Sequence, residues 1–300
     1  MKKMLMFVNP AAGREAMNGR MLDVLSQFTA AGYDVVCHPT QKPRDIIEKL
    51  VESGEDYDMI VSCGGDGTLN ETVTGLMQLE HRPLLGYIPA GTVNDFATSL
   101  HIPKTIPEAV ANIIEGEPFA VDVGGFNGQY FTYVAAFGAF TKVSYATSHA
   151  SKQALGRAAY ILEGIRSLPD IQPIHVLIRT GDTSIEDDVL LGMVTNATSV
   201  GGFRALDDDI VKMNDGINEL VLVRAPRLLT DYNAMLTCLL ARDFDPAYFH
   251  ILQADSVTVD FQKPVAWTLD GEYGGESTHV GITNISRAIN IMVPRSTPAD

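Results

Sequence analysis

The residues of this chain best suited to chemistry gather first in Val61-Ser62-Cys63-Gly64-Gly65-Asp66-Gly67-Thr68-Leu69-Asn70-Glu71. A short apolar run over 57–61 precedes the glycines and reads as a buried strand, and a helical pattern over 69–79 follows them. Glycine tolerates positive φ and lets backbone approach a ligand closely. A helix start adds N–H groups outside the helical ladder and a positive partial charge. Together these suit a phosphate. Asp66 would repel such a ligand, and a divalent cation between them removes the conflict, Mg2+ being suited to carboxylate and phosphate oxygens. The competing reading is a plain turn. The stretch is no Walker loop, lacking Gly-Lys-Ser/Thr, and no Rossmann fingerprint, because Asn70 stands where the third glycine belongs.

Two further stretches carry acids at turns. Gly91-Thr92-Val93-Asn94-Asp95-Phe96-Ala97 follows a strand-like run, and Asp95 either serves the site or caps a short helix over 96–100. Asp270-Gly271-Glu272 follows Ala266-Trp267-Thr268-Leu269, where a surface hairpin turn is the plain alternative. The histidines are scattered with no HxxxH or HxH spacing, so no zinc site is indicated, and Trp267 reads as a packing residue.

These residues need elements to hold them. The first third alternates strand and helix. Strands are predicted over 4–8, 33–37, 57–63 and 84–88. Helices are predicted over 14–31, with Leu22, Leu25 and Phe28 at helical spacing, over 43–53 with Pro43 at its start, over 69–79 and over 107–115. Such βα alternation argues a parallel, Rossmann-like sheet covered on both faces, whose ligands bind at the carboxyl ends of the strands. The loops over 9–13, 64–68 and 91–95 fall there. From about residue 124 the pattern changes to strands over 130–137, 174–179, 189–195, 220–224, 256–261, 265–269, 280–283 and 288–293, interrupted by helices over 151–167 and 229–240. This reads as an antiparallel sandwich or barrel. The fold class is thus an α/β amino-terminal domain over 1–123, which the tail over 294–300 could rejoin, and a β-rich domain over 124–293. The tail 296–300 reads as frayed.

Composition bounds the partners. Lys plus Arg number 22 against 37 Asp plus Glu, a formal net charge of −15, which argues against nucleic acid. Docking on an anionic membrane would then require a local basic or apolar patch. Lys142, Lys152, Arg157 and Arg166 stand against the single acid Glu163 and offer one, an amphipathic helix with snorkelling cations being the alternative. Cys37, Cys63 and Cys238 show no CxxC spacing, and Cys37 and Cys63, at the ends of apolar runs, read as buried thiols, which fits a reducing cytoplasm. The apolar start stops at Asn9-Pro10, too short for a signal peptide, and no apolar run approaches a membrane span, so a lipid substrate would be reached from the bilayer surface.

Taken together, Asn9-Pro10-Ala11-Ala12-Gly13, the Gly64 to Glu71 stretch, Gly91-Thr92-Val93-Asn94-Asp95-Phe96-Ala97 and Asp270-Gly271-Glu272 resemble the diacylglycerol kinase-type lipid kinases, in particular their soluble bacterial branch. The glycine turn alone would equally resemble an NAD kinase or a phosphofructokinase, and the Gly-Thr-x-Asn-Asp-Phe-Ala stretch favours the lipid branch. The resemblance implies an ATP-binding α/β domain, a second β-rich domain, and ATP- and Mg2+-dependent transfer of a phosphoryl group to diacylglycerol or a related lipid alcohol. It places Asn9, Pro10, Ala11, Ala12, Gly13, Thr40 and Thr92 against the nucleotide, and Gly64, Gly65, Asp66, Gly67, Thr68, Leu69, Asn70 and Glu71 around its phosphates. Asp95, with Asn94, would complete the metal and phosphate network. Glu272 becomes the general base, with Asp270 or Asp66 as alternates.

Lys212-Met213-Asn214-Asp215-Gly216-Ile217-Asn218 resembles a segment that binds a structural Mg2+ in part of that family, through the Asp215 carboxylate and the Lys212 and Ile217 carbonyls, with a plain turn as the alternative. Asp207-Asp208-Asp209 reads as a solvated loop. A kinase of a soluble acceptor such as NAD and a nucleotide-binding regulator without turnover are the competing functions. The acceptor is left open, and so is a homodimer.

Overall fold

The computed structural model describes residues 1–10, 19–139, 172–204, 206, 210–226, 229–241 and 244–295. The chain divides into two compact units, Met1–Val123 with Ser286–Asp300, and Gly124–Ile285. Several expectations lie outside the described residues: Ala11, Ala12 and Gly13, the start of the first helix, the helix over 151–167 with Lys142, Lys152, Arg157 and Arg166, the run Asp207-Asp208-Asp209, and the tail 296–300.

The first unit runs β1 (Lys2–Val8), α1 (Met21–Ala30), β2 (Tyr33–Pro39), α2 (Asp45–Ser53), β3 (Met59–Gly64), α3 (Asp66–Leu76), β4 (Leu84–Pro89), α4 (Asp95–Ser99) and α5 (Ile106–Glu115). β1 pairs parallel with both β2 and β3, and β3 pairs parallel with β4. Every residue of β3 is buried, as are Met4 to Val8 of β1. Unbroken apolar strands of this kind need cover on both faces, and the helices provide it. Val24 and Phe28 of α1, with Ile106, Ala109, Val110 and Ile113 of α5, recur at helical spacing and share one core with Met4, Met6 and Val61. Fully burying a side chain such as Phe28 contributes about 1.5–3 kcal/mol.

The second unit is built from the end of β5 (Glu117–Phe126), then β6 (Gln129–Phe131), β7 (Val134–Gly138), β8 (Ile174–Thr180), β9 (Thr183–Thr195), the short pair β10 (Ser199–Val200) and β11 (Phe203–Arg204), β12 (Asn218–Arg224), α6 (Leu229–Ala241), β13 (Phe249–Ala254), β14 (Ser256–Leu269) and β15 (Glu272–Val293). Antiparallel pairs run through it: β12 with β9 and β13, β14 with β7, β8 and β15, β9 with β7 and β8, β5 with β6, and β10 with β11. The long strands β9 and β14 are joined twice, through β7 and through β8, so the pairing closes on itself. Trp267 is fully buried at its centre, its ring 4.7 Å from Phe137 and 5.1 Å from Phe126. It packs, as the sequence indicated.

Several boundaries differ from expectation. Gly19 and Arg20 form a turn, so the described part of the first helix starts at Met21. Leu22 is 80% exposed, because about 100° per residue puts it about 200° around the helix from buried Val24. α2 starts at Asp45, since Arg44 takes a positive φ of 66° that stops the helix from reaching back to Pro43. α3 starts at Asp66, so the glycine turn supplies the first residues of the helix rather than a loop before it. The stretch 130–137 is two strands, 256–269 is one strand with an irregular register after Asp260, and 280–293 belongs to one strand. β13 went unpredicted. The chain rejoins the first unit at Ser286, earlier than residue 294. Ile291 pairs parallel to Leu85, Asn112 Nδ2 donates to the Met292 carbonyl at 3.1 Å, and Arg82 Nη1 donates to that of Ala288 at 3.0 Å.

Candidate active site

In the first unit the site residues collect where β1, β3 and β4 end. The Ala90 N–H donates to the Gly64 carbonyl at 2.8 Å, which carries the β3–β4 pairing into the two turns that follow. There the backbones nearly touch. A Cβ on Gly91 would sit 2.5 Å from Gly65 Cα, and a Cβ on Gly64 would sit 2.4 Å from Thr68 Oγ1. A side chain at Gly91 would force the two turns apart, and one at Gly64 would collide with Thr68 of α3, which is the physical reason for glycine here. Asn94 closes the second turn from inside. Its Oδ1 accepts the Gly91 N–H at 3.0 Å and its Nδ2 donates to the Gly91 carbonyl at 2.9 Å, while its own φ is 56°.

Helix α3 rises from this cradle. Its ladder begins with the Leu69 N–H donating to the Gly65 carbonyl at 3.0 Å, so the N–H groups of its first turn stand outside the ladder, at the positive end of the dipole. Asp66 is the first helical residue, and its Oδ2 accepts the Asp95 N–H at 3.3 Å. Asp95, buried, opens α4, and the cap position belongs to Asn94. Asn9 reaches the same place: its Nδ2 donates to Thr68 Oγ1 at 3.0 Å. Thr40, at the end of β2, donates its N–H to the Val8 carbonyl at 2.9 Å. Asn9, Gly64, Gly65, Asp66, Thr68, Gly91 and Asp95 are thus brought together, with Thr40 on the neighbouring strand end and Pro10, Gly67 and Thr92 exposed beside them.

Not every predicted contact belongs to the cradle. Leu69 is fully buried and serves the core. Glu71 Oε1 accepts the Arg44 N–H at 3.0 Å, which ties α3 to the start of α2. Asn70 is half-buried on the same helix. Tyr87 gave no sequence signal. Its buried hydroxyl lies 3.3 Å from the Gly64 carbonyl and 3.5 Å from Asn94 Oδ1, beneath both turns, and burial pushes its pKa well up, with the Asp66 charge adding to the effect. Burial likewise pushes the Cys63 thiol up to about 12, so it is an inert packing residue. A cavity of about 640 Å3 lined by Met1, Lys2, Tyr33 and Asp58 opens at the amino-terminal ends of β1 and β2, the end of a parallel sheet that ligands do not use.

The second unit presents the other acids. Leu269 pairs with Glu272, so Asp270 and Gly271 are the two-residue turn between β14 and β15, with φ of 50° and 86°. That is the Asp-Gly hairpin of the plain alternative, and it is also more. Asp270 Oδ2 accepts the Thr132 N–H and hydroxyl, both at 2.7 Å, and Oδ1 accepts the Tyr133 and Val134 N–H groups, both at 3.0 Å. Burial pushes its pKa above the usual carboxylate value, against the pull of those four donors. A carboxylate so saturated holds structure and has no lone pair aimed at a substrate proton. As a base, Asp270 is set aside. Glu272, two residues on, is exposed, and among the described residues no hydrogen bond or ion pair holds its side chain.

Asp215 lies in an exposed turn before β12. Its Oδ1 accepts the Ile217 N–H at 3.0 Å, and Gly216 has a φ of 81°. Lys212 is exposed three residues before it. Among the described residues no group of three or more His, Cys, Asp or Glu gathers as a metal site, so a cation at either acid would rely on backbone carbonyls, phosphates or water as well. The donor set at Asp66 suits Mg2+ in that way: one carboxylate, a second acid adjoining, and a bare-backbone cradle for phosphate oxygens.

The model of the diacylglycerol kinase catalytic domain matches residues 3–126. A diacylglycerol kinase of Bacillus subtilis is 34% identical over 98% of this chain and 97% of its own length. One from Staphylococcus carnosus is 34% identical over 98% and 96%. The crystal structure of a putative diacylglycerol kinase from Bacillus anthracis superposes with a TM-score of 0.86 at 28% identity, covering 99% of this chain and 96% of that one. With the glycine cradle, the acid-bearing turns and this full-length likeness in hand, the chain belongs to the diacylglycerol kinase family and is a lipid kinase.

Proposed function

We propose that this enzyme transfers the γ-phosphate of ATP to the hydroxyl of diacylglycerol or a related lipid alcohol, with Mg2+. The observation that carries the proposal is the bare-backbone cradle of Gly64, Gly65 and Gly91 at the start of α3, with Asp66 as its first helical residue. The N–H groups of that first turn receive the phosphates, and Asp66 takes the cation, with Asp95 held against it. Asn9, Thr40 and Thr92 contact the nucleotide. Bound Mg2+ supplies neutralisation of the phosphate charge.

Glu272 takes the proton of the acceptor hydroxyl. The hydroxyl oxygen then bonds to the γ-phosphorus as the bond to the ADP oxygen breaks. Asp270 positions Glu272 by pinning the turn to residues 132–134. Among the described residues no helix is long and apolar enough to cross a membrane, which suits an enzyme that meets its lipid at the bilayer surface. The basic run from Lys142 to Arg166 is the contact we assign to that surface, since the chain as a whole is acidic.

Protein, labelled ATP, Mg2+ and a panel of lipid alcohols in mixed micelles test the proposal. Labelled phosphatidic acid from diacylglycerol is the expected product, and Asp66→Asn abolishes it. Absence of any phosphorylated lipid, or transfer to NAD without detergent, contradicts the proposal.

A further inference from the structure

The glycine turn contains a peptide that its own residues do not hold. Gly64 and Gly65 both lack a Cβ, so the peptide between them meets little steric resistance to a flip. Its orientation decides what a ligand meets. Carbonyl and N–H point in opposite directions across a trans peptide, so a flip would exchange the Gly65 N–H for the Gly64 carbonyl and set an oxygen against an anion.

Two donors fix that orientation. The Ala90 N–H donates to the Gly64 carbonyl at 2.8 Å from the β4 side, and the Tyr87 hydroxyl reaches the same oxygen at 3.3 Å from the buried interior. A phenol carries one proton, and an ordinary pKa of about 10 keeps it in place at neutral pH. The other oxygen close by, Asn94 Oδ1 at 3.5 Å, is an acceptor that already receives the Gly91 N–H at 3.0 Å. The hydroxyl proton therefore goes to Gly64. β3 lies between β1 and β4. With its carbonyl held on the β4 side, the peptide aims the Gly65 N–H toward the end of β1, where Asn9 donates to Thr68. Among the described residues that N–H makes no hydrogen bond.

We propose that Tyr87 is a positioning residue for phosphate binding: its hydroxyl grips the Gly64 carbonyl from beneath and so keeps the Gly65 N–H presented to a phosphate oxygen of the nucleotide. The inference rests on the reading of the glycine turn as a phosphate cradle, and adds to it the side chain that sets its backbone. Tyr87 itself touches no substrate. Packing and positioning separate in Tyr87→Phe, because the ring still fills the core while the Gly64 carbonyl keeps the Ala90 N–H and Asn94 Oδ1 keeps that of Gly91.

The test is calorimetry of Mg-ATP, Mg-ADP and adenosine on the parent chain and on Tyr87→Phe. Loss of one hydrogen bond should weaken ATP and ADP about three- to tenfold, with adenosine affinity and melting temperature unchanged. In turnover the KM for ATP rises by the same factor, and the KM for the lipid acceptor does not move. Equal losses for adenosine and ATP, or a fall in melting temperature in step with them, make Tyr87 a packing residue and overturn the inference. Unchanged ATP affinity in Tyr87→Phe also overturns it, and if Asp66→Asn still abolishes transfer the cradle reading stands without it. If the parent binds no ATP, both fail. A measurement on the unaltered chain needs no variant to fold: the Gly65 amide proton resonance should move downfield as Mg-ADP is added, and an unmoved resonance contradicts the assignment.

Discussion

The glycine turn of the first unit and the Asp-Gly turn of the second are built from the same residue types and use them in opposite ways. At Gly65 and Gly91 the absence of side chains brings two backbones within contact, and Asp66 stands at a helix start where N–H groups remain outside the ladder. At Asp270 and Gly271 positive φ makes a two-residue hairpin, and the aspartate turns inward to take four donors from residues 132–134. One acid stands at a helix start and the other is turned into the fold. An aspartate beside a glycine in a turn does not itself announce which it is. The donors around it decide.

The contrast breaks most visibly at Asp270. Asp270→Ala leaves three N–H groups and a hydroxyl buried without an acceptor, and it should destabilise the second unit by about 3–5 kcal/mol in urea unfolding. A loss within about 0.5 kcal/mol, the range of an ordinary surface substitution, would mean that Asp270 is not the anchor described here. Gly91→Ala comes next. Its Cβ would press on Gly65 Cα, an overpacking that costs about 1–3 kcal/mol and separates the two turns. ATP affinity measured by calorimetry should fall about tenfold with it, and an unchanged affinity would show that the close approach is not needed for the cradle. The smallest expected effect is at Cys63, beside the cradle. With its thiol pushed up to about 12, about one molecule in ten thousand is ionised at pH 8, so iodoacetamide should leave Cys63 unmodified in the folded protein. Rapid alkylation there would mean the strand end is more open than described.

Much of the first unit was legible in the sequence because its signals are local. Short apolar runs and a proline at a helix start specify β1, β3, β4 and α5 within a residue or two. What was not legible depends on distant partners. Nothing near Asp270 says that residues 132–134 will supply four donors, so it looked as available as Glu272. Leu22 fits an apolar spacing as well as Val24 does, and only the packing of α1 shows which of them faces the core. Tyr87 and Glu219 looked like ordinary strand residues, because a hydroxyl beneath two turns and a buried acid with one oxygen to spare are properties of assembled neighbours. The long strands β14 and β15 were cut at their bends, where local alternation fails and cross-strand pairing continues.

The division of labour between Asp270 and Glu272 is tested most directly by one pair of measurements on Glu272→Gln: ATP binding by calorimetry, and phosphoryl transfer to diacylglycerol on the same preparation. The account predicts wild-type ATP affinity and an unchanged unfolding midpoint, with transfer slowed about 10²–10⁴-fold by loss of the base. Transfer at the wild-type rate, or a loss of ATP binding in step with activity, would contradict it and return the role of base to Asp66.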